Sequence, residues 1–278
     1  IPALLSYDGA IAIPQCEDFP SNSDGVNKLN EILCSLLLGG VHAEVLHSDA
    51  LVVGSLQDGV RLFAYRSSLH TQLRLNWAAI NDRLSPLMHP RVLMVEEIQE
   101  AYSLGQQAIQ AIHNFTPFFL LSGYTAMVYR NHSDALNNLW IAVEQLTESL
   151  WAEHYLKNMS SLPSRVVRRY ECLKKRKQLK NIWAKQELLR LSKIISKECH
   201  KALSQARSKR NDLVHEGIVP DLLIVEALWK ALPQMLEVAS GIQELGVRKL
   251  WGAGENSWSI PARTDFDEWE ALAIKVKA

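Results

Sequence analysis

Residues 133–151 read SDALNNLWIAVEQLTESLW, and this stretch decides the fold class. Leu136, Leu139, Trp140, Val143, Leu146, Leu150 and Trp151 recur three or four residues apart, the spacing of one helix face. A face this long and aromatic must be buried against other helices, which predicts the central helix of a bundle. The preceding Asn131-His132-Ser133-Asp134 is a turn in which Ser133 or Asp134 suits the N-cap.

Toward the C-terminus, Ser161-Leu162-Pro163-Ser164 breaks the chain. A basic helix is expected to follow to about Lys177, and then one long helix from about Asn181 to about His215. The long helix has Leu188, Leu191, Ile195, Ala202 and Leu203 as apolar positions, and Gly217 and Pro220 end it. Asp221 is placed to cap a last core helix with Leu222, Val225, Leu228, Trp229, Leu232 and Leu236 inward. The tail after Gly241 carries Trp251, Trp258 and Trp269 and reads as an irregular strap, with a short helix near 266–274.

Toward the N-terminus, residues 96–114 and 117–130 read as two more helices. Earlier still the pattern is mixed. Val26, Leu29, Ile32, Leu33, Leu36 and Leu37 fall at helical spacing before the stop Gly39-Gly40. Residues 41–47 read as a strand. Apolar runs at 51–56 and 60–65 flank Gln57-Asp58-Gly59 as a hairpin, and 69–84 as a helix. The expected class is α+β. A small N-terminal α/β unit (1–94) precedes a mainly α-helical region (95–244, core 133–244) and a C-terminal strap (245–278).

Composition narrows the function classes. Of 278 residues, 47% are hydrophobic and 22% charged, the balance of a globular protein with a real core. Cys16, Cys34, Cys172 and Cys199 show no C-x-x-C spacing, and the nine histidines form no H-E-x-x-H, so neither a metal site nor a cofactor is indicated. The most apolar stretch, 115–129, is too short to span a bilayer, and no secretory leader pattern opens the chain. The expectation is a cytoplasmic protein with reduced thiols and no membrane partner.

The charge is balanced overall, with 30 basic and 30 acidic residues, but not locally. Segment 165–210 holds 16 Lys or Arg and three acids, a charge of +13, which leaves −13 on the remainder. A polyphosphate is the natural counter-charge. The competing reading is a solvated helix surface that pairs with the acidic remainder. Lys174, Lys175, Arg176, Lys177, Arg207 and Lys209 are the candidate RNA contacts. Tyr170 and Trp183 can stack on bases, although bundle helices bury aromatics routinely.

The basic stretch closes on Ser208-Lys209-Arg210-Asn211-Asp212-Leu213-Val214-His215-Glu216-Gly217. Metal-free RNA cleavage needs a proton-transfer group near the 2′-hydroxyl or the 5′-oxygen, and histidine serves near neutral pH. It also needs a fixed cation on the phosphorane-like transition state, which a guanidinium supplies. Residues five apart on a regular helix differ by about 140° and rise by about 7.5 Å. Arg210 and His215 therefore meet only if the helix ends or bends between them, or if two subunits each supply one. Asn211, four residues before His215, can share its face. Without such a site, Arg and His at a helix C-terminus simply complement the macrodipole.

Here the chain resembles the HEPN (higher eukaryotes and prokaryotes nucleotide-binding) superfamily, whose hallmark is Arg, often followed by a polar residue, then His after four to six residues. The order of helices over about 133–244 resembles it too, nearest the abortive-infection and Apea-like branches. The resemblance implies a four-helix bundle that dimerises with paired motifs facing across a two-fold axis. It implies a metal-independent endoribonuclease in which Arg210 stabilises phosphate charge, His215 transfers the proton and Asn211 positions. It also implies a setting in bacterial anti-phage defence or a toxin system, with an antitoxin or regulatory partner. The alternative within the same family is a non-catalytic module that binds nucleotide or RNA or acts as a scaffold. A further expectation, from bundle geometry, is that Glu144 holds Arg210.

Overall fold

A computed structural model of the chain describes residues 3–5, 11–55, 61–65 and 93–250. Four strands, β1 (Leu4–Leu5), β2 (Ile11–Pro14), β3 (Leu51–Ser55) and β4 (Arg61–Tyr65), form one antiparallel sheet in the order β1-β2-β4-β3. β3 and β4 pair from Leu51↔Tyr65 to Ser55↔Arg61, as the hairpin pattern predicts. Phe63 sits opposite both Ile13 and Val53, and Ile13 and Phe63 are fully buried. Helix α1 (Asn22–Leu38) covers this face. Its Gly25 admits the Phe63 ring, since a Cβ there would lie 2.6 Å from a ring carbon. Ser21 and Asp24 cap α1 reciprocally, and Gly40, with φ +97°, follows its end.

Residues 41–47 are not a strand. Ala43, Glu44, Val45 and Leu46 are all buried, yet the backbone of Val45 and Leu46 bonds to side chains rather than to a neighbouring strand. Asn30 brackets Leu46, donating to its carbonyl at 2.9 Å and accepting from its N–H at 2.8 Å. Val45 donates to Thr125 Oγ1 at 2.9 Å. The apolar run marks burial, and the sheet lies elsewhere.

Among the described residues seven further α-helices follow: α2 (Val95–Ala111), α3 (Pro117–Val128), α4 (His132–Leu150), α5 (Ser164–Lys175), α6 (Ile182–Leu191), α7 (Lys197–Glu216) and α8 (Leu222–Ser240). α4 is the hub, packing on α3, α6, α7 and α8. Its predicted inward residues, from Leu136 to Trp151, are all buried. The N-cap is Asn131, which accepts from Asp134 N at 3.3 Å, rather than Ser133 or Asp134. Beyond Leu150 the helix widens into a π turn (Trp151–Leu156) that stacks Trp151 on Tyr155 at 4.3 Å.

The expected single helix from 181 to 215 is two helices, broken at 192–196. No glycine or proline marks the break. Lys193 takes the left-handed conformation (φ +62°), and Ile194 N–H closes on Leu189 O at 2.9 Å. Ser196 then caps α7, accepting from Cys199 N at 3.0 Å and donating its hydroxyl to Gln234 of α8 at 2.9 Å. The break turns Ile195 into the core.

One continuous hydrophobic core runs from the sheet through the bundle. α1 and α2 cross backbone to backbone, because a Cβ on Gly105 would lie 1.8 Å from Ser35 O. After α8, a 3₁₀ turn (Gly246–Lys249) is held by Arg248 paired with buried Glu237, whose carboxylate also accepts from Leu245 N at 3.2 Å. The described chain is therefore α+β: mainly helical, with a small antiparallel sheet at its N-terminal end. The expected turn at 57–59 and the helices at 69–84 and 266–274 lie outside the described residues.

Candidate active site at the end of α7

α7 stays regular through Glu216 and closes on Gly217, in the left-handed conformation (φ +70°), whose N–H reaches Leu213 O at 3.1 Å. Buried Pro220 and the Asp221 cap of α8 follow at once. Because the helix neither ends nor bends between Arg210 and His215, the two side chains leave it about 140° apart. The first of the two ways for them to meet within reach of one phosphate is thereby removed, and convergence requires a second subunit.

The inward stripe of α7 runs through buried Cys199, Leu203 and Ala206. The next positions on that stripe, four and seven residues on from Ala206, are Arg210 and Leu213, both half-buried. Arg210 thus occupies a core-facing position. Its Nε is buried and has no hydrogen-bond partner. Such an atom costs free energy in the isolated chain. Glu144 does not relieve it, because that carboxylate accepts from Trp140 Nε1 at 2.7 Å and makes no ion pair with Arg210. Asn211 and His215 are exposed, one helical turn apart on the opposite side.

Two more features escape the motif. His132, the first residue of α4, also has a buried Nε2 without a partner. A lone histidine in a turn gives no sequence signal for that. Around the α7–α8 junction four aliphatic side chains stand in solvent: Val214 (52% exposed), Ile218 (49%), Val219 (65%) and Leu223 (73%). Ile218-Val219 directly after Gly217 was the available signal, since a purely solvated helix stop has no use for them. Exposed aliphatic residues this close together in sequence make the junction a candidate interaction surface.

The candidate RNA contacts fall in two places. Lys174, Lys175, Arg176 and Lys177 are exposed at the end of α5 and the turn after it, with Lys174 Nζ 5.9 Å from the Tyr170 ring centroid. Arg207 and Lys209 belong to the last turns of α7. Lys209 is already engaged: it pairs with Asp212 at 3.0 Å, and that hydrogen bond raises its pKa. Tyr170 and Trp183 are half-buried and pack against the core. Of the 16 cations in 165–210, only Arg169, Lys185 and Lys209 have ion-pair partners among the described residues. Two of these reach acids outside the stretch, Lys185 pairing with Glu148 and Lys209 with Asp212. The acidic remainder therefore does little to neutralise this surface within the described chain.

Among the described residues no cluster of His, Cys, Asp or Glu is arranged to hold a metal ion, and no helix is long and apolar enough to cross a membrane. Cys34 and Cys199 are buried free thiols, and burial pushes the Cys199 pKa up to about 12. No protein-family model matches the chain, and neither a curated protein nor a solved structure matches it.

Proposed function

We propose that the chain is a metal-independent endoribonuclease of HEPN type, acting as a homodimer whose composite site joins Arg210 of one subunit to His215 of the other. The observation that carries this reading is the state of Arg210: a guanidinium on a core-facing stripe, with a buried unpartnered Nε, beside an exposed apolar rim. A lone chain gains nothing from that arrangement. A second copy seated on Val214, Ile218, Val219 and Leu223 removes the apolar surface from water and brings the partner's imidazole toward the guanidinium.

In that site the 2′-oxygen attacks phosphorus and gives its proton to a base. The P–O5′ bond breaks, and the 5′-oxygen takes a proton from an acid. His215 serves as one of these groups. Arg210 neutralises the charge that builds on the phosphoryl oxygens, and Asn211 orients the imidazole or the phosphate. The products are a 2′,3′-cyclic phosphate and a 5′-hydroxyl. Lys174 to Lys177 and Arg207 hold the RNA backbone, whereas the Lys209–Asp212 pair fixes the last turn of α7. The setting is a cytoplasmic anti-phage or toxin system, with the N-terminal sheet and α1 as the part that receives a regulatory partner or antitoxin.

One observation favours a second reading. Within a single chain Arg210 and His215 diverge, which suits a HEPN module that binds RNA or nucleotide without cutting. A cleavage assay with a metal chelator present separates the two. Cleavage by the wild type that persists in chelator and disappears in His215→Ala supports the nuclease. Retention of RNA with no cleavage by either protein supports the binder.

A further inference from the structure

α5 and α6 border an open recess of about 500 Å³ that shares no residue with the Arg210–His215 motif. Arg165, Arg168 and Arg169 enter it from α5, and Glu187 and Arg190 from α6. The three α5 arginines lie at i, i+3 and i+4, hence on one helix face, beside the face that buries Val166 and Leu173. Cys172 and Leu191 supply its apolar part.

Four guanidiniums meet one carboxylate here, which leaves a charge of +3 in the recess. Glu187 is used up by a bidentate pair with Arg169, Nε to Oε1 at 3.1 Å and Nη2 to Oε2 at 2.9 Å. That pair clamps α5 to α6 and fixes the walls. Arg165, Arg168 and Arg190 have no side-chain hydrogen bond or ion pair among the described residues. Like charges one helical turn apart repel, so the arrangement is unfavourable when empty and favourable around an anion. The positive field reaches α7 as well: burial lowers the pKa of His200, and Arg190 and Arg207 lower it further against the opposing pull of Glu187.

We propose that this recess binds a condensed phosphate, the di- or triphosphate group of a nucleotide, either free or at the 5′ end of an RNA. Charge density selects this chemistry. A triphosphate concentrates three or more negative charges in a volume of this size, matching three free guanidiniums, whereas a phosphodiester backbone carries one charge per nucleotide. Arginine forks suit such oxygens bidentately. Among the described residues no aromatic ring lines the recess, so these walls read phosphate and leave the base unread.

The inference does not depend on the nuclease reading, because its readout is binding rather than cleavage. Titration calorimetry of the full chain with inorganic triphosphate, ATP and AMP tests it. The expected result is that triphosphate and ATP bind alike, with AMP at least about tenfold weaker. The double variant Arg168→Gln/Arg190→Gln, which keeps the Arg169–Glu187 clamp, should lose at least about tenfold for triphosphate. It should melt within a few degrees of the wild type. Lys180→Gln/Lys201→Gln, which removes equal charge outside the recess, should change affinity less than about twofold. An RNA with a 5′-triphosphate, compared with its 5′-hydroxyl counterpart, assigns the source. A preference for the triphosphate end that ATP competes away points to RNA ends, and no preference points to free nucleotide. The proposal is overturned if inorganic triphosphate does not bind, if AMP binds as tightly, or if the two double variants weaken binding equally.

Discussion

Arg210 is where this chain departs most clearly from ordinary core chemistry. The stripe Cys199, Leu203, Ala206 leads the eye to an apolar side chain at position 210, and an arginine stands there with a buried unpaired Nε. Replacing an unsatisfied polar group by an apolar one of similar length removes a desolvation penalty. Arg210→Met should therefore stabilise the isolated chain by about 1 kcal/mol in urea unfolding while abolishing cleavage. A loss of stability would mean that the guanidinium has a structural partner after all. His215 is exposed, so His215→Ala should shift stability by less than about 0.5 kcal/mol and lower the cleavage rate by at least about 100-fold. Glu237 gives a contrast in which the buried charge is satisfied. Arg248, through its hydrogen bond, holds the Glu237 carboxyl below its ordinary pKa. A depressed folded-state pKa adds stability above the unfolded value and loses it as pH falls through the folded one. Glu237→Gln should therefore be less stable than wild type at pH 7, by about 1 to 2 kcal/mol, and the gap should close on acidification below the usual carboxylate range.

At the scale of elements, the helices that were legible are those whose apolar spacing and caps agree. α4 buries every residue its sequence points inward, and Asp221 caps α8 as its position suggests. Two misreadings have specific causes. Residues 41–47 resemble a strand because a buried apolar run looks the same whether its backbone pairs with a strand or with Asn30 and Thr125. The break at 192–196 is silent because Lys193 adopts φ > 0 where glycine is usual, and only Ser192 and Ser196 hint at it. The Arg210-to-His215 motif was visible, and so was the helix end at Gly217. The uninterrupted helix between the two residues was not, since spacing alone does not say where a last turn loosens. Glycines supply two tests. Gly105→Ala meets Ser35 O in the α1–α2 crossing and should destabilise by at least about 3 kcal/mol, read by thermal melting. Gly217→Ala meets nothing, so only its left-handed φ matters, and a cost of about 1 kcal/mol is expected. Equal effects would mean that packing does not set the first.

At the scale of the whole molecule, charge and exposed apolar surface point to what lies outside the chain. Thirteen of the 16 cations in 165–210 lack an ion-pair partner among the described residues, and the apolar rim at the α7–α8 junction is uncovered. Neither feature was fully legible. The charge count came from the sequence, but which cations are already paired depends on which helices meet. If the rim is the dimer contact, Val219→Asp/Leu223→Asp should elute as a monomer by light scattering, melt within a few degrees of wild type and lose cleavage. A dimer that survives both substitutions would place the interface elsewhere.

The composite site itself is tested most directly by mixing two inactive variants, Arg210→Ala and His215→Ala, under conditions that exchange subunits, and measuring RNA cleavage. Random pairing makes half the dimers mixed, and each mixed dimer has one site with both groups intact, so activity should return to about a quarter of wild type. A mixture as inactive as either parent, with subunit exchange verified, would contradict a site built from Arg210 of one subunit and His215 of the other.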